Sequence, residues 1–205
     1  MDTAAVILAG GMSRRMGRDK ATLPFGEETM LSRLVRLYRP HFDRIAVSVN
    51  RPGRFDTAGA LEVVDRRPGD GPLAGLQAAF LDTGAQAVFL TATDLPFGDP
   101  LLARYIAGRL DDGYDACLIH SSKGLEPLFA AYRAQACLEV VSWLLENGRR
   151  SMFGLFQRVR TLELPVDGIP GFDREQVERI LINVNDPEEY RRALHTCQGE
   201  GLCLN

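Results

Sequence analysis

Short apolar runs alternate with segments of helical period along most of this 205-residue chain, and that rhythm restricts its fold more than any other feature. Such alternation builds a mostly parallel twisted sheet with helices on both faces, a three-layer α/β sandwich. Residues 4–9 (AAVILA) read as a buried strand, β-branched at its centre. Further strands are expected at 45–49, 61–64, 87–92, 115–119, 127–132, 161–165 and 180–184. Helices are expected at 30–38, from Pro72 onward, at 101–110, at 136–146 and at 186–194. In the last of these Asp186 is the cap, Pro187 takes the first position and Glu189 completes a capping box.

Composition narrows the function classes. With 45% apolar and 25% charged residues and a net charge of −3, the chain suits a globular domain rather than a disordered one. No stretch approaches the roughly 18 apolar residues of a membrane span, and the start of the chain lacks a basic lead, so a cytoplasmic protein is expected. A slightly acidic total argues against nucleic acid as a partner. The four scattered cysteines contain no CxxC pair, so neither a zinc site nor a structural disulfide is expected. One domain over 1–195 is expected, with a nucleotide-binding half at 1–119, an acceptor-binding half at 120–195 and a frayed tail beyond.

The stretch richest in chemistry follows the first strand: Leu8-Ala9-Gly10-Gly11-Met12-Ser13-Arg14-Arg15-Met16-Gly17-Arg18-Asp19-Lys20. Three glycines let backbone amides approach a polyphosphate closely. Arg14, Arg15, Arg18 and Lys20 supply the local positive charge that the total denies. The pattern is neither GxGxxG nor GK[ST], which disfavours a dinucleotide dehydrogenase and a P-loop NTPase. Only Lys20 and Lys123 are lysines among 24 basic Lys and Arg residues. A lysine inside this loop therefore suits a compact point charge where a planar guanidinium does not fit.

Asp94 stands at the carboxyl end of an apolar strand, where ligands of open α/β sheets bind. Beside a phosphate loop it is a natural Mg²⁺ ligand; a turn or cap before Pro96 is the competing role. Asp65 ends another strand in the same way and is equally suited to a turn. Arg149 and Arg150 follow a helix end and fit either an acceptor contact or a basic C-terminal turn.

The first loop resembles the LAGGxSxRMGxDK signature of molybdenum cofactor guanylyltransferases. Val64-Asp65, Gly71-Pro72-Leu73-Ala74-Gly75, Thr93-Asp94-Leu95-Pro96, Glu126-Pro127-Leu128 and Asn183-Val184-Asn185-Asp186-Pro187-Glu188-Glu189 follow in that family's order. The resemblance implies a Rossmann-like nucleotidyltransferase fold. It also implies transfer of GMP from GTP to the terminal phosphate of molybdopterin (Mo-molybdopterin), with release of pyrophosphate. Leu8, Ala9, Gly10 and Gly11 are then nucleotide-contacting backbone, and Lys20, Arg15 and Asp94 the catalytic set, with Asp94 holding Mg²⁺. Asp65 contacts the nucleotide, as does either Ser48 or Asn50, where the family often has asparagine. Asn183 and Asn185 face the acceptor. Molybdenum-insertion proteins and apo-molybdoenzymes are the further partners implied. The alternatives are a cytidylyl or sugar-1-phosphate nucleotidyltransferase of the same superfamily, and a non-catalytic nucleotide-binding adaptor that delivers cofactor.

Overall fold

The computed structural model describes residues 1–10 and 18–199. Seven strands form one sheet: β1 (Thr3–Leu8), β4 (Arg44–Val49), β5 (Leu61–Val64), β6 (Ala87–Ala92), β7 (Ala116–Ser121), β8 (Gly124–Arg133) and β9 (Thr161–Pro165). Their order is β5-β4-β1-β6-β8-β7-β9, and β8 alone runs antiparallel to its neighbours. A two-stranded ribbon, β2 (Pro24–Phe25) and β3 (Glu28–Thr29), stands apart from it.

Side chains alternate across the pleat, so β1 sends Ala5 and Ile7 to one face and Ala4 and Val6 to the other. The first face is covered by α1 (Met30–Tyr38), α3 (Pro100–Gly108) and α6 (Arg174–Ile180). The second is covered by α2 (Pro72–Thr83), α4 (Ala134–Glu146) and α5 (Phe153–Phe156). Both faces of the sheet are thus dry, which is why its strands read as continuous apolar runs rather than alternating ones. The three-layer sandwich expected from the sequence is the observed architecture.

Local signals account for the helix boundaries. Thr29 and Ser32 close a capping box at the start of α1, and Asp99 accepts from the amides of Leu101 and Leu102 ahead of α3. Gly71, at φ +73°, turns the chain into α2 with Pro72 at its first position, and Gly84 ends it in the left-handed region.

Four expectations fail. Residues 180–184 are not a strand: Asp173 and Gln176 form a capping box that starts α6, which ends at Ile180. The apolar run was ambiguous because Val177 and Ile180 belong to one buried helical face while Val184 is buried in a separate cluster. The tail is helical beyond His195, since α7 spans Pro187–Gly199, anchored by buried Ala193 and Cys197. Cys197 is also disulfide-bonded; compartment-level reasoning from composition speaks for the chain as a whole and not for one thiol. Asp186 caps α7 as expected, accepting from the amides of Glu188 and Glu189 at 2.9 Å. The Glu189 carboxylate, however, reaches the amide of Asn185 at 2.6 Å and not that of the cap.

A 3₁₀ turn (Lys20–Thr22) leads into the β2–β3 ribbon, which Phe25 fixes by burying its ring against Phe97. No helix among the described residues is long and apolar enough to cross a membrane.

Candidate active site

The chain passes from β1 to β4 and β5 on one side and returns to β6 on the other, so a crevice opens above the carboxyl ends of β1 and β6. Backbone pairing continues past the strand ends and fixes the crevice floor. The Ala9 amide donates to the Ser48 carbonyl (2.9 Å), that of Thr93 to the Leu8 carbonyl (3.1 Å), and that of Asp65 to the Val49 carbonyl (2.9 Å). Above this floor lies a cavity of about 570 Å³, within the size range of sites for small molecules and cofactors.

Leu8, Ala9, Gly10, Lys20, Ser48, Asn50, Asp65 and Asp94 all line it. The expected nucleotide residues that are described therefore converge on one space, although they come from five separate segments. Gly11 and Arg15 lie outside the described residues. Ser48 and Asn50, offered as alternatives, both face the cavity, but they differ in role. Ser48 is buried and donates its hydroxyl to Asp65 Oδ1 at 2.8 Å, while Asn50 Oδ1 accepts from Arg54 at 2.5 Å.

Lys20 and Asp94 meet at one end. The Lys20 ammonium is 3.7 Å from Asp94 Oδ2 and donates to Asn185 Oδ1 at 2.9 Å. Asn185 comes to this point because the Val184 amide donates to the Asp94 carbonyl at 2.8 Å, strapping the segment before α7 onto the turn after β6. Asn183, its expected companion, points elsewhere: its amide nitrogen donates to the Leu181 carbonyl at 3.4 Å. Burial raises the Asp94 carboxyl above the usual carboxylate range, with the Lys20 ammonium offsetting part of that rise. Burial likewise raises Asp65, offset by the Ser48 hydroxyl.

Asp94 Oδ1 is buried and has no hydrogen-bond partner among the described residues. An orphaned carboxylate oxygen is costly unless something coordinates it. Asp94 also belongs to no cluster of three or more ligating His, Cys, Asp or Glu among the described residues. One carboxylate with a nearby amide oxygen suits a cation that takes its remaining ligands from phosphate and water, as Mg²⁺ does.

The wall facing β1 was only half legible. Pro68, Gly69, Gly71, Pro72 and Gly75 line it, and the sequence signal was the glycine-proline segment itself. At Gly75 a Cβ would stand 2.5 Å from Leu8 Cδ2 and 2.8 Å from Ser48 Oγ, so only glycine lets α2 approach the floor this closely. Arg149 and Arg150 do not line the cavity. Arg150 pairs with Asp70 at 2.8 Å, and Arg149 lies over the Trp143 ring.

With this geometry, the chain's likenesses are specific. The MobA-like NTP transferase domain matches residues 5–161. A protein of Pelotomaculum thermopropionicum named probable molybdenum cofactor guanylyltransferase is 30% identical, the alignment covering 94% of this chain and 92% of that one. The molybdenum cofactor guanylyltransferase of Rhizobium meliloti is 33% identical over 92% of this chain and 89% of its own. In fold, the chain is similar to molybdopterin-guanine dinucleotide biosynthesis protein A from Archaeoglobus fulgidus. That structure superimposes with a TM-score of 0.82 at 24% identity, covering 96% and 99% of the two chains. Family match and relatives together span the crevice and every strand that builds it: this chain is a nucleotidyltransferase and belongs to the MobA-like NTP transferase family.

Proposed function

We propose that this protein transfers GMP from GTP to the terminal phosphate of molybdopterin (Mo-molybdopterin), releasing pyrophosphate, in the cytoplasm. The observation that carries the reading is the meeting of Lys20, Asp94 and Asn185 at the end of a cavity lined by Leu8, Ala9 and Gly10. The chain acts as one domain over 1–195, with GTP bound by the half before residue 119 and the acceptor by the half after it.

The reaction brings two anions together. At 4 Å two unit charges repel by about 4 kcal/mol at an effective dielectric of 20. The acceptor phosphate, with its second pKa near ~6, is already mostly dianionic at neutral pH and needs no general base. Positioning and charge neutralisation are therefore what the protein must provide. Lys20 holds the triphosphate as a point charge, and the backbone of Leu8 to Gly10 orients the nucleotide. Asp65, steadied by Ser48, accepts from nucleotide N–H or O–H groups. Asn185, through its hydrogen bond to Lys20, fixes the ammonium between donor and acceptor.

Asp94, through its unpartnered Oδ1, is the residue that would hold Mg²⁺. Bound there, the ion supplies Lewis-acid neutralisation of phosphate oxygens. Gly11 and Arg15 complete the loop's contacts in this reading, and Asn183 supports the acceptor side through the turn it stabilises.

Mass spectrometry of the product formed from protein, Mg²⁺, GTP and molybdopterin tests the proposal. The guanine dinucleotide is the expected product. Faster pyrophosphate release with CTP at equal concentration would refute the guanylyl assignment in favour of cytidylyl transfer.

A further inference from the structure

Arg54 lies outside every motif, yet it joins two sides of the nucleotide cavity. Its side chain is mostly buried, 13% exposed, and lies 5.0 Å over the Phe55 ring. One guanidinium nitrogen donates to Asn50 Oδ1 at 2.5 Å and the other to Asp19 Oδ1 at 2.7 Å. Asn50 lines the cavity beyond the end of β4. Asp19 immediately precedes Lys20 and starts the 3₁₀ turn, which its carboxylate does not cap. That carboxylate is instead given to an arginine 35 positions away. Arg54 Nε, meanwhile, is buried with no hydrogen-bond partner among the described residues, a cost that packing alone would select against.

We infer that Arg54 is a positioning residue that bridges Asn50 and Asp19, setting both the orientation of the Asn50 amide and the placement of Lys20 for the nucleotide. This rests on the proposed nucleotidyl transfer and deepens it. A guanidinium has donors and no acceptor, so Asn50 must turn its carbonyl oxygen toward Arg54. The Asn50 NH₂ group is thereby left for an acceptor on the nucleotide. The second arm ties the same rigid fork to the segment that carries Lys20. Arginine is suited to this because its two donors are set in one plane, whereas a lysine reaches a single partner.

A double-mutant cycle on nucleotide affinity tests the bridge. Wild type, Arg54→Met, Arg54→Lys, Asn50→Ala and Arg54→Met/Asn50→Ala are titrated calorimetrically with GTP, CTP, ATP and UTP in the presence of Mg²⁺, and their melting temperatures are recorded. Arg54→Met is expected to weaken binding of the preferred nucleotide roughly tenfold, as for loss of a charged hydrogen bond. Arg54→Lys is expected to resemble it. The double variant is expected to lose clearly less than the product of the two single losses, because the Asn50 arm is counted in both, while still binding more weakly than Asn50→Ala through the loss of the Asp19 arm. Wild-type affinity in Arg54→Met, full rescue by lysine, or additive losses would overturn the inference. A lower melting temperature with unchanged affinity in the lysine variant would also do so, since it marks a structural role only. If the wild type prefers a nucleotide other than GTP, the guanylyl reading fails, while the same comparison on that nucleotide still decides for Arg54.

Discussion

The Lys20 ammonium stands 3.7 Å from Asp94 Oδ2 while donating to Asn185 Oδ1 at 2.9 Å, so residues from the first loop, the centre of the sheet and the last connection share one charge. Lys20→Ala is expected to reduce turnover by on the order of a hundredfold or more, comparable to removing one oriented donor. Lys20→Arg is expected to recover little, because a planar fork replaces a point charge. Wild-type turnover of Lys20→Ala with saturating GTP and Mg²⁺ would remove Lys20 from the mechanism.

Asp94 and Asn185 predict separable defects. Asp94→Asn retains the shape and removes the charge, so metal-dependent activity is expected to vanish while the circular dichroism spectrum is unchanged. An Mg²⁺ titration of activity identical to the wild type's contradicts the assignment. Asn185→Ala is expected to lower turnover about tenfold by releasing Lys20. Asn183→Ala, which loses only a turn contact to Leu181, is expected to stay within about twofold.

Stability should fall with rising pH through the carboxylate range. Asp94, Asp65 and Glu126 are each raised, primarily by burial, so the folded state binds their protons more tightly than the unfolded state does. Their contribution is complete below the unfolded value of about 4 and is lost as pH climbs through the raised folded values. Urea midpoints of ligand-free wild type and Asp94→Asn, compared from pH 4 to 7, check this. The variant is expected to lose less with rising pH; equal slopes would show that Asp94 takes no part.

Gly75→Ala tests the closeness of α2 to the floor. The new methyl would meet Leu8 and Ser48 well inside van der Waals contact, and overpacking of this kind costs about 1–3 kcal/mol. Because Ser48 orients Asp65, nucleotide affinity is expected to drop along with the denaturation midpoint. A variant with both properties unchanged would mean that the helix shifts freely.

What was legible in the sequence follows from how local each signal is. The strand 87–92 and the helix 30–38 match the structure residue for residue, because burial on both sheet faces and a single apolar stripe mark them, and the half-exposed edge strands 61–64 and 161–165 match as well. Residues 180–184 misled because an apolar run spanned a helix end and an extended strap, two environments that periodicity alone cannot separate. The cavity residues Leu8 to Gly10, Lys20, Asp65 and Asp94 were readable as strand-end motifs. Arg54 was not: in a chain so rich in arginine nothing local distinguishes it, and its importance lies wholly in two partners distant in sequence. Asn183 and Asn185 looked equivalent because they share a motif, and only the Val184–Asp94 backbone bond separates their directions.

The reversed direction of β8 has an evolutionary corollary. Since β7 runs with the parallel strands and β8 returns against them, the tight connection at Ser122 and Lys123 projects at the catalytic end of the sheet. Leu128, midway along β8, borders the cavity, so the reversal brings this strand to the crevice without disturbing the crossover helices on either face of the sheet. A change of length at that connection leaves the register of every parallel strand untouched, which makes the hairpin the natural place to begin redesigning this end of the sheet.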